Sequence, residues 1–301
     1  MNRFKSRCDL SFRTRHKGGP ALARDNLPGS SLKARDRFVF LIHGYNVSDD
    51  AAVTAFEYFR ARMRRDCRDV EKDVLTIAWP GDGRWPFSTM SYPWRVRTAV
   101  SLAPALAKVI EENVRGRNNG ECELILIGHS LGCRFILEAL HELGNSKKTL
   151  SIKKLLVFLM APAVPVGMVD TSGPLGKTVN DEFYKIGVLY SPHDSVLSGP
   201  FRIGQTAARR FPKPARGRNE GFFPEAVGFL GGPEKTWDKP KLAHGYDHGE
   251  YWYERNSAKY LASFLERPTH REVEYRPSVR FRRLYRRLAP QHRRTAARWG
   301  I

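Results

Sequence analysis

With 301 residues, 41% of them hydrophobic and 27% charged, the chain has the balance of an ordinary soluble protein and the length to bury a full core in one large domain or two small ones. Its 51 basic against 31 acidic residues give a net charge of +20, but the excess is at the ends: +7 on residues 1–37 and +9 on 267–301, leaving +4 on the body. Met1 to Arg7 carry charge with no apolar run behind them, no stretch approaches the length of a membrane span, and Cys8, Cys67, Cys122 and Cys133 have neither a paired framework nor metal-ligand spacing, so a secretory leader, a spanning helix and a disulfide or metal scaffold are not expected and the setting expected is cytoplasmic.

Residues 1–37 are rich in Arg, Gly, Pro and Ser without hydrophobic period, which predicts a loosely ordered basic arm. Residues 38–42 (Phe-Val-Phe-Leu-Ile) are a buried strand ending at His43-Gly44-Tyr45-Asn46. Asp49 and Asp50 are placed to cap a helix through Arg65, with Val53, Phe56, Tyr58, Phe59 and Met63 as its apolar positions. Residues 74–79 form the next strand, halted by Pro80-Gly81. A long helix follows from Pro93 to about Asn113, and its Pro104 predicts a kink. Leu124-Ile125-Leu126-Ile127 is a strand that runs into Gly128-His129-Ser130-Leu131-Gly132, after which Leu131, Phe135, Ile136, Leu137, Ala139 and Leu140 recur at helical spacing. Residues 155–160 and 183–190 are two further strands, a short last strand is expected within 211–247, and a helix over 251–265 closes the body. Strands alternating with helices imply an α/β fold, a mostly parallel sheet with helices on both faces. The organisation expected is a basic arm (1–37), a catalytic domain (38–266) and an Arg-rich tail (267–301).

A serine with glycine two positions away on either side, after a strand and before a helix, has the composition of a nucleophile elbow. The turn is tight and strains the serine backbone, so bulky flanking side chains would clash. It lifts the Ser130 hydroxyl clear of the sheet and leaves the following N–H free to bind an oxyanion. The plainer alternative, a strand–turn–helix connection with an idle serine, is weakened by the strong apolar strand and helix on either side.

Over residues 38–265 the chain resembles the α/β-hydrolase superfamily, most of all its compact serine-hydrolase branch. The resemblance rests on Leu41-Ile42-His43-Gly44-Tyr45-Asn46, the elbow with His at its second position, and Trp79-Pro80-Gly81. It departs at the front: no antiparallel pair of strands is visible before the His-Gly strand, which predicts a sheet trimmed at its first strands. The resemblance implies a triad in the chain order Ser, acid, His. Ser130 is then the nucleophile. The acid is Asp194, in the loop after residues 183–190, with Asp170 as runner-up and helix capping as the plain reading of Asp194. The base is His248, immediately before the closing helix, in preference to His244. The oxyanion would be held by the backbone N–H groups of Tyr45 and Leu131. His43 and His129 are read as structural, Asp181 and His193 as solvated, and Asp247 as badly directed for a triad acid. No cofactor and no metal are expected.

The implied reaction is cleavage of a carboxylic ester, or a related acyl bond, in a small-molecule substrate through an acyl-enzyme. Trp79, Trp85, Phe87, Met90, Tyr92 and Trp94 cluster where they either line an apolar acyl pocket or plug the core. In the tail, Phe281, Leu284, Tyr285 and Leu288 fall at i, i+3, i+4 and i+7, one apolar face of a helix whose other face is arginine. Such a helix docks on the body or a second subunit of a homo-oligomer, lies on an anionic membrane, or contacts nucleic acid. This leaves a second class of function, a non-catalytic hydrolase-fold binding module that works through its basic tails. Ser, Asp and His in family order argue against it.

Overall fold

The computed structural model describes residues 8–13, 15–16, 19–20, 35–82, 91–115, 122–144, 150, 152–181, 184–209, 224–231, 238–243 and 245–266. His244, the candidate pocket residues Trp85, Phe87 and Met90, and the tail with its amphipathic segment lie outside the described residues. In chain order the elements are β1 (Leu10–Ser11), β2 (Arg15–His16), β3 (Gly19–Pro20), β4 (Arg37–Ile42), α1 (Asp49–Asp66), α2 (Arg68–Glu71), β5 (Val74–Ala78), α3 (Tyr92–Arg115), β6 (Cys122–His129), α4 (Leu131–Leu143), β7 (Ile152–Met160), α5 (Val166–Val169), α6 (Gly176–Val179), β8 (Tyr184–Tyr190), α7 (Ser195–Ser198), α8 (Pro200–Arg209), α9 (Val227–Leu230), β9 (Asp238–Leu242) and α10 (Arg255–Glu266).

Seven strands make one sheet in the order β1-β5-β4-β6-β7-β8-β9, and every neighbouring pair is parallel. The central strands are near-continuous apolar runs because both of their faces are covered: all five residues of β5 are buried, as are Phe38 to Ile42 of β4 and Leu124 to Ile127 of β6. The crossover from β4 to β5 runs one way along the sheet, and those from β5 to β6 and β6 to β7 run the other way. Right-handed crossovers therefore put α1 on one face and α3 and α4 on the other. Helix α1 packs with α10, and α3 packs with α4 and α8.

Residues 8–12 correct the expectation of a loose arm. Cys8, Leu10 and Phe12 are at most 1% exposed, and β1 pairs with β5 through Leu10–Ile77 and Ser11–Ala78. Phe12 donates its N–H to Ala78 O (2.8 Å) and meets Phe135 of α4 edge-on at 5.8 Å. Arg13 then binds Asp49 (2.7 Å), Asp82 (3.1 Å) and the carbonyl of Val47 (2.9 Å), which ties this segment to the loops after β4 and β5. The sheet therefore opens with a parallel edge strand. Among the described residues, β2 and β3 pair antiparallel in a separate two-stranded sheet.

Two helix starts shift, and one expected strand is located. Ser48, whose side chain accepts from Ala51 N–H, caps α1, while Asp49 and Asp50 lie in its first turn, where they favour the helix dipole. The short last strand within 211–247 is β9, parallel to β8. The closing helix starts at Arg255: Tyr251 and Trp252 belong to the turns before it and are buried there.

Candidate active site

Ser130 is the single residue between the end of β6 and the start of α4. Its backbone has φ 52° and ψ −123°, a conformation that is costly for a residue with a side chain. The surroundings impose it. Ser130 N–H donates to Met160 O (2.9 Å) at the end of β7, and its carbonyl accepts from Cys133 N–H (3.0 Å) and Ala163 N–H (3.2 Å). The flanking glycines make room for it: a Cβ on Gly132 would lie 2.4 Å from the backbone oxygen of His43, and one on Gly128 2.7 Å from Ile136 Cδ1, the movable end of a side chain. Gly44 packs on the serine from the β4 side, where a Cβ would come within 2.9 Å of Ser130 Cβ.

The structure brings Ser130, His248 and Asp194 into one hydrogen-bonded chain. His248 Nε2 lies 2.8 Å from Ser130 Oγ, and His248 Nδ1 lies 2.8 Å from Asp194 Oδ2. With the carboxylate accepting at Nδ1–H, Nε2 is left to accept the serine proton. Asp194 is fully buried and its two oxygens are divided: Oδ2 faces the imidazole, and Oδ1 caps α7 by accepting from Val196 N–H (3.1 Å) and Leu197 N–H (2.9 Å). Burial pulls the His248 pKa down, but the charge of Asp194 and its hydrogen bond, with help from Asp247, more than offset this and raise it above the ordinary imidazole value. Asp170 stands at the C-terminal end of α5 and is not the partner of His248 Nδ1.

Asp247 makes contacts that sequence reading missed. Its Oδ1 accepts from His248 N–H (2.8 Å), Ser195 N–H (3.1 Å) and Ser195 Oγ–H (2.7 Å), stapling the His248 turn to the start of α7. Ser191 Oγ–H adds a second staple by donating to Tyr246 O (2.7 Å).

The buried histidines His43 and His129 have separate places. His43 Nδ1–H donates to Gly44 O (2.9 Å) and its Nε2 accepts from Trp79 N–H (3.2 Å), while Trp79 stacks on the ring and donates its indole N–H to His43 O (2.7 Å). Burial, with Arg13 nearby, lowers the His43 pKa to about 3, so the ring is neutral. Trp79 is thereby assigned to the core rather than to a pocket wall. His129 Nε2–H donates to His248 O (2.8 Å).

Tyr45 follows Gly44 on the loop after β4; its hydroxyl is 2.9 Å from Ser91 Oγ and its ring meets Tyr92 edge-on at 5.3 Å. The adjacent Asn46 N–H is committed to Gly81 O (2.7 Å). Leu131 is the first residue of α4, where an α-helix leaves its N–H groups without helical acceptors. Among the described residues no group of three or more His, Cys, Asp or Glu side chains is placed to hold a metal ion, and no helix is long and apolar enough to cross a membrane.

A parallel sheet with helices on both faces and a strained serine between a central strand and its helix defines an α/β-hydrolase. Residues 24–227 match the model of the family described as "Alpha/beta hydrolase of unknown function (DUF900)", and the chain belongs to that family. Ser130 and Asp194 lie inside the matched span and His248 lies beyond it. Comparison with curated proteins gave no match. Similar solved structures include the lin2722 product of Listeria innocua, at 11% identity and TM-score 0.45, covering 79% of this chain and 97% of that one. An esterase of Pyrobaculum calidifontis is similar at 14% identity and TM-score 0.39, covering 82% and 81%. The type II thioesterase YbtT from a yersiniabactin biosynthetic pathway is similar at 16% identity and TM-score 0.38, covering 76% and 90%. These likenesses bear on neither substrate nor mechanism.

Proposed function

We propose that this α/β-hydrolase is a serine hydrolase that cleaves a carboxylic ester, or a related acyl bond, through Ser130, His248 and Asp194. The observation that carries the reading is the unbroken contact chain from Ser130 Oγ through the imidazole to a buried carboxylate, each link 2.8 Å. A serine hydroxyl is a weak nucleophile until a neighbouring base takes its proton as it attacks. In this scheme Ser130 Oγ attacks the substrate carbonyl while His248 Nε2 accepts the hydroxyl proton. Asp194 holds the ring in the Nδ1–H tautomer and offsets the charge of the imidazolium. The tetrahedral oxyanion is received by the backbone N–H groups of Leu131 and Tyr45; one such donor is typically worth about two to three powers of ten in rate. His248 then gives its proton to the leaving group. A water molecule, activated by the same ring, attacks the acyl-enzyme, and Ser130 recovers its proton as the carboxylic acid departs.

Labelling with a fluorophosphonate tests this directly, because an activated serine attacks the phosphorus, fluoride leaves and the serine is phosphonylated. The wild-type protein is expected to label and Ser130→Ala to remain unlabelled. Equal labelling of both would remove Ser130 from the reaction, and no labelling of the wild type would leave the non-catalytic binding module as the better reading.

A further inference from the structure

The His248 turn is regular neither as helix nor as strand, so its position depends on what its main chain is tied to. Two ties run to the acid loop, Asp247 to Ser195 and Ser191 to Tyr246. These hold the base against Asp194 but say nothing of its distance from the nucleophile. A third tie runs to the nucleophile elbow itself: His129 Nε2 lies 2.8 Å from the backbone carbonyl of His248. The two rings are 4.9 Å apart, and His129 also packs against Tyr251 and Trp252 of the same stretch at 5.9 and 5.7 Å.

The chemistry of this contact is one-directional. A carbonyl oxygen can only accept, so His129 must carry its proton on Nε2. Its Nδ1 is then a bare acceptor, buried and without a hydrogen-bond partner among the described residues, on the Gly44 side, where a Cβ on that glycine would sit 3.1 Å from it. Burial and the neighbouring charge of His248 hold the His129 pKa well below the ordinary value, so the ring stays neutral while His248 takes up a proton. A ring kept only to fill the elbow would not need a donor there: phenylalanine offers similar volume without a buried orphan nitrogen.

We infer that His129 is a positioning residue, resting on the reading of Ser130 as nucleophile and His248 as base: by donating to the carbonyl of His248 it sets the separation between the base and the nucleophile next to it in the chain. The same residue that stands beside the serine in sequence thus carries the base in space. His129 is buried, and it acts through the main chain of His248.

The test compares the rate of fluorophosphonate labelling in four full-length proteins. His129→Phe keeps ring volume and removes the donor, His129→Asn places its amide near Nδ1 and falls short of the carbonyl, and His129→Gln reaches the Nε2 position with an N–H. Because small misplacements of a reacting group are costly, Phe and Asn are expected to slow maximal labelling by about 10- to 100-fold while Gln stays within about threefold of wild type. The loss should fall on the maximal labelling rate and leave the reagent concentration for half-maximal rate unchanged. The low-field proton resonance of His248 Nδ1–H against Asp194 should persist in every variant that folds, since Asp247 and Ser191 still hold that side. If Phe does not fold, Asn against Gln carries the comparison. Wild-type rates in Phe or Asn, or a Gln variant as slow as they are, would overturn the positioning role while leaving the Ser130 reading intact. Failure of the wild type itself to label would take down that reading, and this one with it.

Discussion

In the proposed reaction His248, with 16% of its side chain exposed, must accept a proton from a largely desolvated position, and these demands oppose each other. Desolvation alone would lower its pKa, as it does for His43 and His129, yet the His248 pKa is raised because it hydrogen-bonds directly to a carboxylate. The three imidazoles thus have three different partners, and in the proposed scheme the partner rather than the residue type decides which acts as base. A general base works in its neutral form, so labelling of Ser130 is expected to climb with pH and reach half its plateau above the 6.5 of an ordinary imidazole. Asp194→Asn should move that midpoint downward, because the charge that raised it is gone, and should slow the plateau by about three to four powers of ten. Asparagine can still cap α7, so the fold around residue 194 is kept and the loss reads on chemistry. A pH–rate profile with the same midpoint in both proteins would show that Asp194 does not govern the base.

At the level of elements, the elbow works because α4 begins directly against the end of β4. An alanine Cβ at residue 132 would lie 2.4 Å from His43 O and 2.8 Å from Ile42 O, both backbone atoms that cannot turn aside. At residue 128 its nearest obstacle is Ile136 Cδ1 at 2.7 Å, the far end of a flexible side chain. Gly132→Ala is therefore expected to destabilise by about 1–3 kcal/mol or more and Gly128→Ala by less, measured by denaturant unfolding. Equal losses would mean that the β4 carbonyls do not set the seat of α4. This steric demand is why the site was legible in the sequence: it writes glycines at fixed offsets from Ser130. The central strands were legible for a related reason, since burial on both faces leaves unbroken apolar runs. The edge strand β1 was not, because Leu10 and Phe12 sit in a basic stretch too short to have a period. Tyr251 and Trp252 read as helix because burial in a turn and burial on a helix face select the same apolar residues. The staple from Asp247 to Ser195 spans 52 residues and joins two loops, so nothing local announces it.

For the molecule as a whole, His43 and His129 make folding a proton-coupled event. Both are neutral in the folded protein, the first with its pKa lowered to about 3 and the second lowered well below 6.5, chiefly by burial. Unfolding returns both rings to water, where they protonate near 6.5. Below that pH the unfolded chain binds more protons than the native one, so stability falls on acidification, by about 1.4 kcal/mol per pH unit for each histidine fully engaged. For His43 the window runs from 6.5 down to about 3. His248 has the opposite sign: with its folded pKa raised, the stability it contributes is fully present below 6.5 and is lost as the pH rises through the folded value. The two trends meet near 6.5, where stability should be greatest as far as these histidines decide it. Denaturant unfolding across the acid range should therefore give a pH slope worth about two protons from this pair, and His43→Asn should remove about one of them whatever it does to the absolute stability. Reading the slope rather than the stability separates the buried charge penalty from the lost contacts with Gly44 and Trp79. An unchanged slope in the variant would mean that His43 is already protonated in the folded protein, which its hydrogen bond accepted from Trp79 N–H at Nε2 forbids.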